Sequence, residues 1–528
     1  MAGNITSIGM VLIIMTSPKL AKKYYYYMFI VVLVSIAFKL MFIAHPFHGL
    51  EYEDAFVFSD VARYLQYSYN WNIDPFQTKS CMDGSLTDCN QFGTFGGHYM
   101  ILPVVVFMAN EICGYSINNI FVVNFIASIL VLYVYVKILK LLDVCRNGII
   151  FSSTLLVATP FLNVFNTSGL SETFSSLWVI GTIYFYLKSS QEDFEYNKTS
   201  FWFAILLIVI SFATKRENLV LLSLPVITIL LLAKNRILKL DKLLRLLLFF
   251  AIPFGLALVY NLMARVNEME AAEGIELGVA TFSLVNFAQL FPHYLSSFFH
   301  INYFGITGVL FLITGIYAIL VHKKIEYKLV AMLAFLYLVM YSSHYRSYYQ
   351  VHFGKVSIFE TLRYTTNYFP IACICFGSLN VIYDKIIDKS LILKARYVGF
   401  FLIFIVASIY LNVTTRLELN RIEYEERIRP VVDTLNFTNQ EDWIMSDISS
   451  IYHIYANNKR KFIDCYATNE RRIFDLIKYD AGQIYLLKRK SNIYNRKRYP
   501  EYFEIISNLD YKVVKNISPD YELIKFVK

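Results

Sequence analysis

Long apolar stretches separated by short polar loops follow one another through the first 414 residues. A helix needs about 20 consecutive apolar residues to cross the hydrocarbon core of a bilayer, so this pattern predicts about 11 membrane-spanning helices. The predicted spans cover residues 25–44, 117–142, 148–166, 170–188, 200–214, 217–234, 243–264, 303–321, 327–343, 362–383 and 394–414. A shorter run at 99–113, YMILPVVVFMANEIC, contains Pro103 and Glu111 and predicts a helix that lies along the membrane interface.

The pattern changes after residue 414. Charged residues become frequent over 415–528, and short apolar runs alternate with helix-like stretches, which predicts a soluble α/β domain. The runs that predict strands are DWIMSD, KRKFIDC, GQIYLLK, YKVVKNI and YELIKFV. The sequence therefore predicts a polytopic α-helical membrane module over 1–414, followed by a C-terminal α/β domain.

The composition agrees with a membrane protein: 56% of the residues are hydrophobic, 17% are aromatic and 17% are charged. The net charge of +9 comes mainly from lysines and arginines in short loops, which is typical of membrane topology and argues against a nucleic-acid partner. The seven cysteines form no CxxC or Cys/His pattern, and no spacing of His, Asp and Glu predicts a metal site. We expect no cofactor, although a divalent cation is left open.

Lysines and arginines collect in alternate loops between the predicted spans. With about 11 spans, the basic segments all lie on one side, which the positive-inside tendency assigns to the cytoplasm. These segments are 19–23, 137–146, 234–245, 322–328 and 384–396. The first loop (45–116), the loops 265–302 and 344–361, and the C-terminal domain are then predicted to face outward.

The outward loop 45–116 carries two features of chemical interest. The acids Glu51, Glu53 and Asp54 follow the first span directly. They could cap a helix start, where the macrodipole favours acids, or could meet a lipid-carried substrate at the membrane boundary. Cys81 and Cys89 bracket a polar hairpin-like loop, CMDGSLTDC, and we expect them to form a disulfide, which would be stable in an oxidising compartment. Two unpaired thiols are the alternative.

Several short motifs along the chain resemble those of the GT-C glycosyltransferases, especially the protein-mannosyltransferase and aminoarabinose-transferase branch. The acidic motif is YEDAF followed by SDVARYL, and the interfacial segment is GGHYMILPVVVFMANEICGYS. Three span starts also match, in order: NTSGLSETFSSLWVIG, ATKRENLVLLSLP and LRYTTNYFP. The resemblance covers about the first 415 residues. The usual Asp-Glu pair is reversed here to Glu53-Asp54, and His98 is followed by Tyr99 rather than by prolines.

The resemblance implies an enzyme that takes a sugar from a polyprenyl phosphate. A carboxylate of the first loop would deprotonate the acceptor for inverting attack, and a placed general base accelerates such a step by roughly 10²- to 10⁴-fold. Glu53 matches this base by position and Asp54 is its alternate. Glu172, at the outer end of the span 170–188, would orient the acceptor or share the work of the base. As an alternative, Glu172 is an acid at a helix start, capped by Ser171 or solvated by headgroups.

Five cations lie on the outer side, where the positive-inside tendency disfavours them. The departing polyprenyl phosphate gains charge, so cations that bind it would have a function there. Alternatively, Arg216 pairs with Glu217, or these groups contact lipid headgroups. The predicted phosphate-binding residues are Lys215, Arg216, Arg346, Lys355 and Arg363.

The predicted function is an inverting glycosyltransferase of the cytoplasmic membrane that acts on an acceptor outside it. Its expected partners are the polyprenyl-phosphate-sugar donor, the acceptor and membrane lipids. A polysaccharide polymerase or ligase is one alternative, but it would usually lack the acidic first loop and a terminal α/β domain. A transporter is another, but transporters tend to place charges at mid-membrane and to show paired halves.

Overall fold

The computed structural model describes residues 19–43, 101–114, 119–167, 171–269, 284–343, 358–379, 406–414, 429–439, 442–446, 461–464, 483–489, 510–517 and 521–527. Six predicted site residues lie outside these ranges, and the predictions about them stay predictions. They are Glu53, Asp54, Cys81, Cys89, Arg346 and Lys355.

Helices form nearly all of the described structure before residue 414, as the apolar pattern predicts. They are α1 (Lys19–Ile43), α2 (Ile101–Cys113), α3 (Asn119–Leu141), α4 (Arg146–Ala158), α5 (Pro160–Phe165), α6 (Ser171–Gln191), α7 (Thr199–Thr214), a 3-10 helix (Arg216–Leu222), α8 (Ser223–Lys234), α9 (Leu240–Met269), α10 (Leu284–Ser297), α11 (Ile301–Phe304), α12 (Thr307–Leu320), α13 (Ile325–Ser342), α14 (Ile358–Ile374), a second 3-10 helix (Cys375–Leu379) and α15 (406–414).

Within the described ranges, four helical stretches are long and apolar enough by themselves to cross a membrane. They are Asn119–Leu141, Glu217–Lys234, Leu240–Val259 and Ile325–Ser342. Shorter apolar helices, such as Thr199–Thr214 and Thr307–Leu320, lie at other predicted spans. The chain is therefore a helical membrane protein, whereas the number of spans stays a prediction.

Two predicted spans are interrupted. The span 148–166 breaks between α4 and α5, where Thr159 is extended (φ −70°, ψ 113°) and Pro160 begins a new helix. Proline lacks a backbone N–H and disfavours helical geometry in the residue before it, which accounts for the break. The span 217–234 begins as the 3-10 helix Arg216–Leu222 before α8 continues it.

The loop predicted over 265–302 contains helical structure that the sequence analysis did not predict. α9 extends to Met269, and α10 occupies Leu284–Ser297. α10 packs into the bundle rather than staying apart from it, because Leu290 and Tyr294 are almost fully buried. This part of the loop therefore belongs to the bundle core.

Basic loops meet at one end of the bundle. Lys324 Nζ donates to the Leu142 carbonyl oxygen and to Asp143 Oδ2, both at 3.0 Å, which joins the loop before α13 to the loop after α3. Gln191, at the end of α6, donates to the Leu141 carbonyl oxygen at 3.0 Å. These contacts agree with the predicted placement of the basic loops on a single side of the membrane.

A helix and a mixed sheet follow the bundle: α16 (Arg429–Phe437), β1 (Trp443–Ser446), β2 (Lys461–Asp464), β3 (Ile484–Arg489), β4 (Tyr511–Asn516) and β5 (Tyr521–Phe526). The strand order is β2-β1-β3-β5-β4, with β1 parallel to β2 and β3, and with β5 antiparallel to β3 and β4. Four of the strands lie within the apolar runs that predict strands, and β3 extends one residue past its run, to Arg489. The prediction that 415–528 forms a separate outward domain stays a prediction.

A hydrophobic cluster connects this sheet to the bundle. Leu102 of α2, Phe121 of α3 and Phe174 of α6 are buried in the same cluster as Ile444 of β1 and Leu487 of β3. α3 contributes its first turn here and its last turn at the basic end, and its 23 residues span roughly 35 Å. The sheet therefore packs at the end of the bundle opposite the basic loops.

Candidate active site

Three charged side chains from separate parts of the chain meet at the end of the bundle that carries the sheet. Glu172 Oε1 accepts from Lys215 Nζ at 2.6 Å and from Arg363 Nε at 2.7 Å. The side chain of Glu172 is fully buried, and those of Lys215 and Arg363 are 8% and 12% exposed. We call these three residues the ion cluster.

The local fold explains how each member reaches the cluster. Glu172 lies in the first turn of α6, where the helix macrodipole favours an acid. Lys215 is the residue at which α7 ends, and its extended backbone (φ −159°, ψ 123°) separates α7 from the following 3-10 helix. Arg363 lies in the second turn of α14. An ordinary helix continued through Lys215 would place this side chain elsewhere.

An aromatic ring lies beneath the two cations. Lys215 Nζ is 5.0 Å from the centroid of the Tyr364 ring, and Arg363 Cζ is 5.7 Å from it. Contacts of this kind are worth about 0.5–2 kcal/mol each, and more when they are desolvated. Tyr364 in turn stacks on Tyr341 of α13, with ring centroids 5.0 Å apart. The cations are thus held between a carboxylate and a π-face.

One carboxylate oxygen of the cluster contacts both cations. The second carboxylate oxygen, Glu172 Oε2, is buried and has no hydrogen-bond partner among the described residues. Leaving a buried acceptor without a donor costs about 1–3 kcal/mol. The cluster therefore places two cations side by side and leaves one acceptor oxygen for a donor group.

Solved structures with this arrangement of helices identify the fold. The apo structure of ArnT from Cupriavidus metallidurans matches with a TM-score of 0.60 at 11% identity, covering 95% of this chain and 97% of that one. ArnT bound to undecaprenyl phosphate matches with a TM-score of 0.53 at 10% identity, covering 94% of this chain and 98% of that one. The chain has a GT-C fold.

The archaeal oligosaccharyltransferase AglB from Archaeoglobus fulgidus, in complex with an inhibitory peptide and a dolichol-phosphate, also shares the GT-C fold. It matches with a TM-score of 0.50 at 10% identity, covering 89% of this chain and 70% of that one. No family model and no curated protein matches the sequence. The fold shared with ArnT confirms the GT-C resemblance that the short motifs indicate.

The GT-C fold brings together three of the predicted site residues, Glu172, Lys215 and Arg363. Arg216 follows directly in the 3-10 helix, but its side chain lies outside the described part of the structure. The catalytic and phosphate-binding roles of all these residues stay predictions. Within the described ranges, no three His, Cys, Asp or Glu side chains are grouped as metal ligands would be.

Sequence reasoning missed the polar layer that lies beneath the ion cluster. Asn218 of the 3-10 helix is fully buried and hydrogen-bonds to Ser175 of α6, Tyr337 of α13 and Asn367 of α14. The available signal was a polar side chain three or four residues after each charge, at Glu172-x₂-Ser175, Lys215-x₂-Asn218 and Arg363-x₃-Asn367. This spacing inside apolar spans indicates a common buried polar site.

Proposed function

We propose that this protein is an inverting glycosyltransferase that moves a sugar from a polyprenyl-phosphate donor to an acceptor on the outer side of the cytoplasmic membrane. The ion cluster is the observation that carries the proposal. It is a buried site in which two cations share one carboxylate, at the end of a GT-C bundle away from the basic loops. ArnT, which has the same fold, has been solved with undecaprenyl phosphate bound, and AglB with a dolichol-phosphate.

The proposed reaction needs both a base and an anion site. A first-loop carboxylate, Glu53 or Asp54, takes the proton of the acceptor hydroxyl. The acceptor oxygen forms a bond to the anomeric carbon while the bond from that carbon to the phosphate oxygen breaks. The electron pair leaves with the polyprenyl phosphate, whose charge changes from that of a phosphodiester to that of a monoester. Lys215 and Arg363 stabilise this developing charge in a site that excludes water.

The geometry supports a positioning role for Glu172. Its Oε1 is engaged by both cations, at 2.6 and 2.7 Å, so this oxygen holds Lys215 and Arg363 close together. Its Oε2 remains free to accept a hydrogen bond from the acceptor. Arg216, Arg346 and Lys355 are proposed as further cations for the phosphate. The sheet packs at the same end as the ion cluster, which supports an outward C-terminal domain over 415–528 that lies near the acceptor.

The proposal is tested by incubating the purified protein with a panel of polyprenyl-phosphate sugars and measuring donor consumption. We expect the wild type to consume at least one donor, and the double variant Glu53→Gln/Asp54→Asn to lose this activity. Intact turnover in the double variant would show that the catalytic assignment is wrong. Consumption of only diphosphate-linked oligosaccharides would favour a polymerase or ligase instead.

A second experiment tests the phosphate site separately from the base. Binding of undecaprenyl phosphate is measured for Lys215→Met and Arg363→Met, with Lys242→Met as the matched control. Lys242 forms an ion pair with Asp193 at 2.9 Å at the basic end of the bundle. We expect each cluster variant to weaken binding by about tenfold or more, the equivalent of losing one charge-assisted hydrogen bond, and Lys242→Met to leave it unchanged.

The proposed orientation of the protein in the membrane is tested separately. A C-terminal tag is expected to be accessible from outside the cytoplasmic membrane in intact cells stripped of any outer barrier. A tag that reacts only after the membrane is permeabilised would place the domain in the cytoplasm. That result would overturn both the orientation and the outward acceptor.

A further inference from the structure

The three members of the ion cluster share a structural relation that the proposed function does not use. Glu172 is three residues before Ser175 on α6, Lys215 is three residues before Asn218, and Arg363 is four residues before Asn367 on α14. Residues three or four apart on a helix lie on the same face, so Ser175 and Asn367 lie one turn from Glu172 and Arg363. Lys215 is extended and lies just before the 3-10 helix that carries Asn218.

These polar side chains converge on a single amide group. Asn218 Nδ2 donates to Ser175 Oγ at 2.7 Å and to the Ser211 carbonyl oxygen at 2.8 Å. Asn218 Oδ1 accepts from Tyr337 OH and from Asn367 Nδ2, both at 2.9 Å. An asparagine amide offers two donors and an oxygen with two lone pairs, so the hydrogen-bonding capacity of Asn218 is complete.

The backbone around Asn218 ties the amide to the break at which Lys215 lies. The backbone N–H of Asn218 donates to the Lys215 carbonyl oxygen at 3.0 Å. The Lys215 N–H donates to the Ser211 carbonyl oxygen at 2.9 Å, the same oxygen that accepts from Asn218 Nδ2. The end of α7 and the start of the 3-10 helix are therefore fixed together by this residue.

We infer that Asn218 is a positioning residue that sets the spacing of the ion cluster by joining α6, α7, α13 and α14 one turn away from the charges. The consequence for the lipid phosphate rests on the proposed function. Buried polar groups with every hydrogen bond satisfied make a rigid and specific contact, whereas a partly satisfied network is costly. Asn218 does not touch the phosphate and acts only through Lys215, Arg363 and Glu172.

Removing the amide is expected to loosen the cluster while the charges remain present. Asn218→Ala leaves Ser175, Tyr337 and Asn367 without their shared partner. Lysine and arginine side chains regain freedom when the elements that carry them move apart, so the phosphate loses a preformed site. Asn218→Asp is close to isosteric, but it places a carboxylate oxygen against the Ser211 carbonyl oxygen, and it is expected to fail as well.

The test measures binding of undecaprenyl phosphate to folded, monodisperse protein. We expect Asn218→Ala to raise the Kd by about tenfold or more, and Tyr337→Phe, which removes one of the four hydrogen bonds, by a smaller factor. Tyr186→Phe is the matched control. It removes a buried interhelical hydrogen bond from Tyr186 to Thr228, with the two hydroxyl oxygens 2.7 Å apart, outside the polar layer. We expect its Kd to stay unchanged. A Kd for Asn218→Ala equal to that of the wild type would overturn the inference.

A second readout does not depend on the lipid. In a double-mutant cycle on the unfolding midpoint, Asn218→Ala and Glu172→Gln are expected to be non-additive, because both act on one cluster. Additive effects would overturn the inference even if binding changes. Failure of the wild type to bind undecaprenyl phosphate would instead count against the proposed function, and the cycle alone would then decide the role of Asn218.

Discussion

Glu172→Gln is expected to destabilise the protein more than removal of either cation. The carboxylate oxygen lies 2.6 and 2.7 Å from the two cationic nitrogens, and the residue is fully buried. At an effective dielectric constant of about 20, unit charges at such distances attract by about 6 kcal/mol per pair, and burial of each ion offsets several kcal/mol of this. Losing one partner of a buried pair costs about 3–5 kcal/mol, and Glu172→Gln removes a carboxylate that two cations share.

The relative stabilities of the single and double variants test this electrostatic reasoning. Lys215→Met leaves Glu172 and Arg363 as a neutral pair and loses one charge-assisted hydrogen bond, at a cost of about 1.5–3 kcal/mol. Adding Lys215→Met to Glu172→Gln removes one of the two cations that shared the carboxylate, and with it the repulsion between them. The double variant is therefore expected to be more stable than Glu172→Gln alone, by about 0.5–3 kcal/mol.

The measurement is the thermal unfolding midpoint in detergent, followed by the fraction of monodisperse protein that survives heating. Asp193→Asn is the matched control because Asp193 also pairs with a lysine, Lys242, but its side chain is 74% exposed. Exposed ion pairs are worth about 0–1 kcal/mol, so this variant should be close to the wild type. If Glu172→Gln unfolded at the wild-type temperature, or if the double variant unfolded at a lower temperature than Glu172→Gln, the electrostatic reasoning would be refuted.

Three further variants test packing around the site. Tyr364→Leu is expected to lose about 1 kcal/mol of stability through both cation–π contacts. Tyr364→Phe keeps the ring and is expected to lose less in the same unfolding assay; equal losses would contradict the contacts. Gly308→Ala is expected to lower the unfolding midpoint, because a Cβ at this position would overlap the Phe298 carbonyl oxygen. Gly255→Ala is the control: a Cβ there would meet nothing within 4 Å, so the midpoint should not fall. Leu487→Ala, in the cluster between the sheet and the bundle, is expected to cost about 2–5 kcal/mol and to speed proteolysis of the C-terminal region; unchanged cleavage would show that this contact is not needed.

Much of the fold could be predicted because a bilayer imposes a simple rule on sequence. Backbone polar groups must be satisfied within the hydrocarbon core, so apolar runs such as 117–142 and 327–343 become helices near their predicted bounds. The strands also form at the runs that predict them, because short alternating segments between polar stretches have few other ways to bury one face. The break at Lys215 falls between the predicted spans 200–214 and 217–234. The interruption at Thr159–Pro160 and the 3-10 helix Arg216–Leu222 were missed, since hydropathy averages over a window and does not detect a local change of helix.

The site was predictable only in part. Glu172, Lys215 and Arg363 stand out because charges are costly near apolar spans, and each drew a functional interpretation for that reason. The sequence did not show that they contact one another, because Arg363 is 191 residues from Glu172. Asn218 and Tyr364 were overlooked because a polar or aromatic residue at a helix end has many ordinary explanations. Their role depends on convergence of several elements, which a single sequence does not display.

The ion cluster holds its two cationic groups together before any phosphate binds. Glu172 Oε1 lies 2.6 Å from Lys215 Nζ and 2.7 Å from Arg363 Nε, so a donor phosphate that binds them does not have to bring them together. In the proposed reaction, the negative charge that grows on the leaving polyprenyl phosphate then meets groups that are already in place. Lys215 and Arg363 would therefore serve both donor binding and departure of the leaving group. Arg216, which adjoins Lys215 in the chain, is the candidate for a further cation at the same site.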